Sequence, residues 1–233
     1  MKRMKDLALA MLAVPALVVV LGSSAFGQGL PEVLPTAATN KSDEISIGSP
    51  KFLLTNGNSW TCESTSVGEA TETGSPNPLG TFHLNFKGCV GETGGIKAKC
   101  TGLGDLTTGQ ILVLGEYHLV YDTGGTELGV AILLLVNSTH FTCANLFLEV
   151  VSGEQLCLIR EPYVAKTLHL FVCAQSQGVQ SGTYLNDGGT TITPKLTVTE
   201  GENATPGMAL EGTGLLLWLN GSGSNVSTVT MMN

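Results

Sequence analysis

The stretch TFHLNFK at residues 81–87 decides the fold class of this chain. Phe82, Leu84 and Phe86 alternate with polar residues, so an extended chain places the three apolar side chains on one face. One face of such a strand packs into a core and the other meets water. The stretch therefore predicts a β-strand in a sheet that covers the core on one side and faces solvent on the other.

Runs of the same kind recur at residues 59–64, 95–100, 110–122, 139–143, 146–151, 155–160, 167–175, 183–186, 191–199, 214–220 and 225–231. The run GVAILLLVN at 129–137 is apolar on both faces, which predicts a strand buried on both sides. Gly-Gly pairs shortly after Glu92, Asp122 and Asn186 suit tight hairpin turns. These patterns predict an all-β, disulfide-bonded fold, either an antiparallel β-sandwich or an irregular barrel of about a dozen short strands.

The amino terminus has the layout of an export signal. Lys2, Arg3 and Lys5 precede an apolar run at 7–21, and small residues follow, so cleavage is expected after Ala25 or, preferably, Gly27. The apolar run is shorter than the roughly 20 residues that cross a membrane as a helix. We therefore expect a signal peptide at 1–27, no transmembrane segment after its removal, and a secreted, extracellular or cell-surface protein.

The remaining chain divides into a leader and one domain. Residues 28–50 contain three prolines and no sustained alternation, which predicts an extended or disordered leader. Residues 51–233 are predicted to form a single β domain, and a subdomain boundary near 151–153 stays open.

The charge of the chain excludes one class of partner. Lys and Arg number 11 against 19 Asp and Glu, for a net charge of −8. Without the signal the charge is about −10. Because binding to phosphate needs clustered basic residues, and the densest such group past the signal is Lys97 and Lys99, no nucleic-acid partner is expected.

Six cysteines lie beyond the signal, at Cys62, Cys89, Cys100, Cys143, Cys157 and Cys173. An even number in an exported chain predicts disulfides, and neither a Cys-x-x-Cys motif nor zinc-finger spacing points to a metal. Sequence alone does not choose among fifteen pairings. Hairpin geometry favours Cys89–Cys100 and Cys157–Cys173. By elimination, Cys62 then pairs with Cys143.

No motif assigns a catalytic site, a cofactor or a metal. The histidines His83, His118, His140 and His169 all fall in alternating strands, where a solvated or hydrogen-bonded side chain is the ordinary outcome. The Gly-x-Ser-x-Gly and His-Glu-x-x-His motifs of hydrolases are absent from the sequence. A triad built from distant loops, or a carboxylate pair drawn from Glu116, Glu149 and Glu211, stays open.

The two tryptophans are the candidates for a binding surface. An exposed indole is a common platform for sugars and protein partners, so Trp60 and Trp218 are candidate binding residues, with burial in the core as the competing interpretation. Five Asn-x-Ser/Thr sequons would be glycosylation sites in a eukaryotic secretory route, at Asn40, Asn137, Asn203, Asn220 and Asn225.

Short motifs in one order resemble those of a group of exported bacterial β-rich proteins without a known activity. They are Phe86-x-Gly-Cys89, Cys100-Thr-Gly-Leu-Gly, Thr108-Gly-Gln, Phe141-x-Cys143 and Ala174-Gln-x-x-Gly-x-Gln180. The resemblance spans about residues 58–215 and implies an exported β domain. It also implies that Cys157 and Cys173 are additions to a shared set of four cysteines, which again pairs them with each other.

The hypothesis that follows is a secreted, non-enzymatic β domain. It would serve as a cell-surface or extracellular binding or structural module, with a glycan or a cell-envelope protein as the partners considered. The alternative is a secreted hydrolase with a loop-built triad or a carboxylate pair.

Overall fold

The structure, a computed structural model, describes residues 31–34, 42–65, 68–72, 79–104, 107–124, 129–143, 147–164, 167–186, 188–200, 206–217 and 230–232. The predicted signal peptide and Trp218 lie outside these residues. None of the residues described forms a helix long and apolar enough to cross a membrane.

The strands are β1 (Glu32–Leu34), β2 (Ser42–Leu54), β3 (Ser59–Thr61), β4 (Ser64–Thr65), β5 (Gly68–Glu72), β6 (Leu79–Lys87), β7 (Val90–Thr93), β8 (Ile96–Gly102), β9 (Ile111–Asp122), β10 (Gly129–Cys143), β11 (Phe147–Ile159), β12 (Leu168–Cys173), β13 (Gln175–Ser176), β14 (Val179–Gln180), β15 (Tyr184–Leu185), β16 (Thr191–Ile192), β17 (Leu196–Glu200), β18 (Gly207–Leu217) and β19 (Thr230–Met232).

In the described part of the chain, one antiparallel sheet of 15 strands closes on itself. Around one end the hydrogen-bonded order is β2-β5-β6-β9-β10-β11-β12-β18 and back to β2. Around the other end the order is β2-β3-β7-β8-β10-β11-β17-β18 and again β2. The long strands β2, β10, β11 and β18 are common to both circuits. Of the two predicted architectures, the all-β fold is therefore the irregular barrel.

Two pairs of predicted runs merge into single long strands. The runs at 129–137 and 139–143 form β10, whose pairing with β11 shifts register between Val136 and Thr139. Likewise the runs at 146–151 and 155–160 join in β11, which continues without a break through 151–153, the position considered for a subdomain boundary. Bulges and glycines bend these strands around the closed sheet without ending them.

Regular structure begins earlier than the predicted leader allows. Residues 42–50 belong to β2, which pairs with β18 from Glu44 to Leu54, so a leader that extends to residue 50 is wrong. Ser49 and Pro50 together oppose the single residue Gly212, which makes a bulge. Because the extra residue of a bulge is unpaired, Pro50, which has no N–H, removes no hydrogen bond between β2 and β18 there.

The alternation in β6 is confirmed. Phe82, Leu84 and Phe86 are buried in the interior, while His83 and Lys87 are exposed. The prediction for β10 holds as well, because every residue from Val130 to Leu134 is buried. Alternate β10 residues enter the main core or a second cluster, where Ala131 and Leu133 pack with Val120, Leu156 and Tyr184.

This second cluster is covered by a segment that we call the outer flap, residues 174–192 apart from Asp187. Tyr184 and Leu185 of the flap extend the sheet by pairing with β9. The Tyr184 hydroxyl donates a hydrogen bond to Glu154 Oε2 at 3.1 Å, and Thr123 and Thr183 share a hydrogen bond of 2.7 Å. The flap therefore explains how a strand in a closed sheet becomes buried on its outer side.

All six cysteines form disulfides, but two of the three predicted pairings are wrong. The bonds are Cys62–Cys89, Cys100–Cys143 and Cys157–Cys173. Only the last agrees with the prediction. Cys89 and Cys100 do flank the predicted hairpin, whose turn residues Gly94 and Gly95 have positive φ, yet each bonds a cysteine on its other side.

The alternation of the antiparallel ladder explains this choice. Cys100 N–H donates to Cys89 O at 2.9 Å, so this pair is hydrogen-bonded and its side chains are the farther apart. Each of the two residues faces its bonded partner on its other neighbouring strand. Cys62 lies opposite Cys89 and Cys143 lies opposite Cys100, with Cα atoms 4.0 Å apart in both pairs. A short Cα separation is typical of the non-hydrogen-bonded pairs, where side chains come closest.

Candidate binding groove

The interior of the closed sheet is filled by side chains. Two voids lie between the described core residues, with volumes of about 30 and 40 Å³. The first is lined by rings such as those of Trp60, Phe86 and Phe141, and the second mainly by aliphatic side chains. Either space is about the size of a water molecule. A ligand of useful size must therefore bind on the outside of the sheet.

A concavity of about 480 Å³ lies on the outer face of β3, β7 and β8, and we call it the hydroxyl groove. Its lining consists of Ser49, Ser59, Thr61, Cys62, Glu63, Gly88, Val90, Glu92 and Lys97. Strand register brings these residues together, because Thr61 pairs with Val90, Ser59 with Glu92, and Glu92 with Lys97. The alternation that sends Trp60 inward sends its neighbours Ser59 and Thr61 outward.

The polar side chains of this groove are mainly hydroxyls and carboxylates. Ser49 Oγ donates a hydrogen bond to the Glu63 carbonyl at 3.4 Å, and its backbone has a φ of 42°. Lys97 Nζ lies 3.6 Å from Glu92 Oε2 across the β7–β8 hairpin. Both of these charged side chains are well exposed, so the ion pair adds little stability and the groups stay available to a ligand.

Two features hold the groove wall in place. The disulfide between Cys62 and Cys89 joins β3 to β7 directly beneath it. Gly88 has a φ of 64°, and a Cβ at this residue would lie 2.5 Å from Glu63 Cδ. The absence of a side chain at residue 88 therefore lets the Glu63 side chain lie across the wall.

A second concavity, the leucine groove, has a volume of about 370 Å³ and lies between β8, β9 and β10. It is lined by Gly102, Leu103, Gly104, Leu112, Leu114, Asn137, Ser138, Thr139 and His140. Leu103 is 72% exposed and Leu114 is 50% exposed, so apolar side chains meet solvent there. The β10 bulge that carries the sequon at Asn137 forms one of its walls.

Of the two tryptophans, Trp60 is described and is not a surface residue. It is 6% exposed and packs edge-to-face on Phe141, with ring centroids 5.4 Å apart. The candidate role of Trp60 as an exposed binding platform is therefore wrong, because the inward side of β3 points into the core. The same candidate role for Trp218 lies outside the described residues.

The candidate titratable residues do not converge on either groove. His83 is exposed on β6, His118 is half-buried on β9, and His140 is half-buried beside the leucine groove. Of the two ordinary outcomes, a solvated or a hydrogen-bonded side chain, His169 does not have the first, since it is fully buried on the inward side of β12, on the same face as Phe171. Within the described ranges, no group of three or more His, Cys, Asp or Glu side chains is placed to hold a metal ion.

The three candidate carboxylates lie on different strands and are not paired. Glu116 is exposed on the outer face of β9, and Glu149 is buried on β11. Glu211 on β18 accepts a hydrogen bond from Gln175 Nε2 at 2.8 Å. These positions do not form the facing carboxylates of a glycosidase site.

Two groups under the outer flap have raised pKa values. Burial raises the pKa of Asp122 above its ordinary value of 3.8, although backbone N–H groups of Gly124 and Thr183 act in the opposite direction. Burial and the charge of Glu154 raise the pKa of Tyr184 to about 12. Tyr184 therefore stays protonated and acts as a hydrogen-bond donor that holds the flap.

Comparison with protein-family models, with curated proteins and with solved structures finds no match to this chain. The resemblance to exported bacterial β-rich proteins stays a prediction. The interpretation of the grooves depends on their geometry and chemistry alone. Sequence reasoning missed the hydroxyl groove, and the signal that could have found it is the outward alternation of Ser59, Thr61 and Glu63.

Proposed function

We propose that this protein is an extracellular, non-enzymatic binding module whose hydroxyl groove takes a neutral, polyhydroxylated ligand such as a glycan chain. Hydroxyl and carboxylate oxygens are the groups that pair with sugar hydroxyls. The observation that carries the proposal is the contrast between a filled interior and an open groove of about 480 Å³ whose lining includes hydroxyls and carboxylates. Three disulfides fit a module that works in an oxidising environment.

The arrangement of the groove favours binding over reaction. Its lining offers hydroxyls from Ser59 and Thr61 and carboxylates from Glu63 and Glu92, without a histidine among the described residues that line it. Carboxylates can act as general bases, but Ser49 Oγ donates to the backbone carbonyl of Glu63, and the Glu92 carboxylate lies beside Lys97. Neither contact gives a lining hydroxyl the general base that would make it a nucleophile. Rigid anchoring by the Cys62–Cys89 bond lowers the entropy that binding would otherwise cost.

Titration calorimetry with cellohexaose, chitohexaose and maltohexaose tests the proposal. We expect at least one hexasaccharide to bind, and the double variant Thr61→Val/Glu63→Gln to weaken that binding at least about tenfold. The reason is that two hydrogen bonds of about 1 kcal/mol each are lost.

The matched control is Thr213→Val/Glu211→Gln, which changes the same residue types on the exposed outer face of β18. This variant should bind as wild type does. Absence of heat with all three sugars at millimolar concentration, or an equal loss in both double variants, would contradict the proposal.

A further inference from the structure

Four cysteines occupy one row across the sheet. Cys62 directly follows β3, Cys89 directly precedes β7, and Cys100 and Cys143 pair in the register of β8 and β10. Cys100 also lies across the hairpin from Cys89, whose carbonyl accepts its N–H. The row thus contains three neighbouring pairs, but four sulfur atoms supply only two bonds, so the central pair is the unbonded one.

The unbonded central pair is also the closest in sequence. Cys89 and Cys100 are eleven residues apart, whereas the native bonds span 27 and 43 residues. Since loop closure becomes less probable as roughly the 3/2 power of loop length, the central pair should close about fourfold and eightfold more readily. The local hairpin turn at Gly94 and Gly95 aids this closure further.

We propose that oxidative folding of this chain passes through a Cys89–Cys100 disulfide, which is then resolved by thiol–disulfide exchange along the row. The Cys100 N–H donates to the Cys89 carbonyl, so the two residues lie opposite each other in continuation of the β7–β8 register, and the intermediate needs no change of that register. It does draw the two side chains closer than the native hydrogen-bonded pair holds them, which favours its exchange for the native bonds. It leaves Cys62 and Cys143 at the ends of the row, three strand spacings or about 14 Å apart. A direct bond between them is beyond the reach of a disulfide.

The exchange needs no external reductant. The Cys62 thiolate attacks Cys89 Sγ, forms the Cys62–Cys89 bond and expels the Cys100 thiolate, so one bond forms and one breaks. Cys100 then lies beside Cys143. Oxidised glutathione removes two electrons from this pair, and two molecules of reduced glutathione carry away the two protons. Both native bonds of the row result.

Timed oxidative refolding tests this route. The full chain, reduced and denatured, is diluted into a glutathione buffer, alkylated at intervals, digested and analysed by mass spectrometry. We expect a peptide pair that joins Cys89 to Cys100 to rise first, and then to fall as the Cys62–Cys89 and Cys100–Cys143 peptides appear. Native bonds that form without any prior Cys89–Cys100 species would overturn the proposal.

A trapping variant sharpens the experiment. Cys62→Ser/Cys143→Ser removes both attacking thiols, so the Cys89–Cys100 bond should persist as the final product. The matched control Cys157→Ser/Cys173→Ser lies outside the row and should still show the bond form and disappear. Free thiols at residues 89 and 100 at the end of oxidation of the trapping variant would contradict the route.

Discussion

Two glutamine side chains complete the closed sheet at the residue scale. Along β11, pairing with β17 ends at Gly153 and pairing with β12 begins at Leu158, which leaves a gap between these strands. On the inner side Gln155 accepts the Leu210 N–H at 2.8 Å and donates to the Leu156 carbonyl at 3.0 Å. On the outer side Gln180 accepts the Leu156 N–H at 2.9 Å and donates to the Glu154 carbonyl. The two side-chain amides thus make hydrogen bonds that backbone groups of a neighbouring strand would otherwise make.

Replacement of Gln155 by Leu should therefore destabilise the protein. Gln155 is 1% exposed, and its loss leaves the buried Leu210 N–H without its acceptor. The expected decrease in the free energy of unfolding is about 1–3 kcal/mol, measured by denaturant titration. The exposed Gln177→Leu is the matched control and should change stability little. Equal stability of the two variants would contradict the role of the amide.

Close packing at Gly115 gives a second prediction. A Cβ there would lie 2.2 Å from the Leu135 carbonyl oxygen and 2.7 Å from the ring of Phe82. Gly115→Ala should lower the free energy of unfolding by about 1–3 kcal/mol, since the backbone of β10 must move. Gly48→Ala in β2, whose nearest contact would be at 3.8 Å, is the control for the same change in a strand. A thermal midpoint for Gly115→Ala as high as that of the control would refute the clash.

The buried carboxyl of Asp122 predicts a pH dependence of stability. Since burial raises the pKa of Asp122 in the native state, that state holds its proton at pH values where the unfolded chain has lost it. The free energy of unfolding should therefore decrease as pH rises from below 3.8 through the raised pKa. Asp122→Asn should unfold at a higher denaturant concentration than wild type at pH 7, and at about the same concentration near pH 3. A lower free energy of unfolding for Asp122→Asn than for wild type at pH 7 would contradict this pH dependence.

At the scale of the elements, local alternation predicts single strands well and their partners poorly. The strand at 81–87 and the doubly buried run at 129–137 follow from the order of apolar residues, and both are found. The strand at 42–54 is not evident from the sequence because Gly48 and the bulge residues Ser49 and Pro50 together have the composition of a loop. Cysteine pairing depends on which opposed residues form hydrogen-bonded pairs and which do not, and the sequence of a hairpin alone does not set that.

The site is less accessible to prediction than the strands. Whether Trp60 faces inward depends on the register of β3 between β2 and β7, and that register is a property of the assembled sheet. The hydroxyl groove likewise depends on the pairing of β3 with the β7–β8 hairpin, which lies about 30 residues further along the chain. The burial of His169 is equally hard to predict, because alternation places His169 on the same side of the strand as Phe171 and does not say which side is the core.

Removal of single disulfides tests the order of their contributions. The chain-entropy model gives about 3 kcal/mol for a loop of 16 residues and about 4 kcal/mol for one of 43. Cys100→Ser/Cys143→Ser should therefore lower the free energy of unfolding by more than Cys157→Ser/Cys173→Ser does. Denaturant titration of both double variants checks this order. A larger loss for the shorter loop would show that native packing, and not the unfolded chain, dominates their effect.

At the scale of the whole molecule, closure of the sheet explains why a chain with few charged residues holds a rigid surface. Charged residues are 13% of the sequence, so hydroxyls and amides cover much of the outside. Among the described residues, each strand of the two circuits pairs with a neighbour on both sides along part of its length, which shields backbone groups that would otherwise invite edge-to-edge aggregation. The filled interior leaves recognition to the outer face, where the hydroxyl groove lies over the Cys62–Cys89 end of the row of cysteines.

Peptide mapping of the oxidised native protein under non-reducing conditions tests this closed, cross-linked sheet most directly. The three bonds each join neighbouring strands, so digestion should yield the linked pairs Cys62–Cys89, Cys100–Cys143 and Cys157–Cys173 and no alkylated cysteine. A native sample that carries Cys62 bonded to Cys143, Cys89 bonded to Cys100, or free thiols in the row would contradict the strand order on which the account depends.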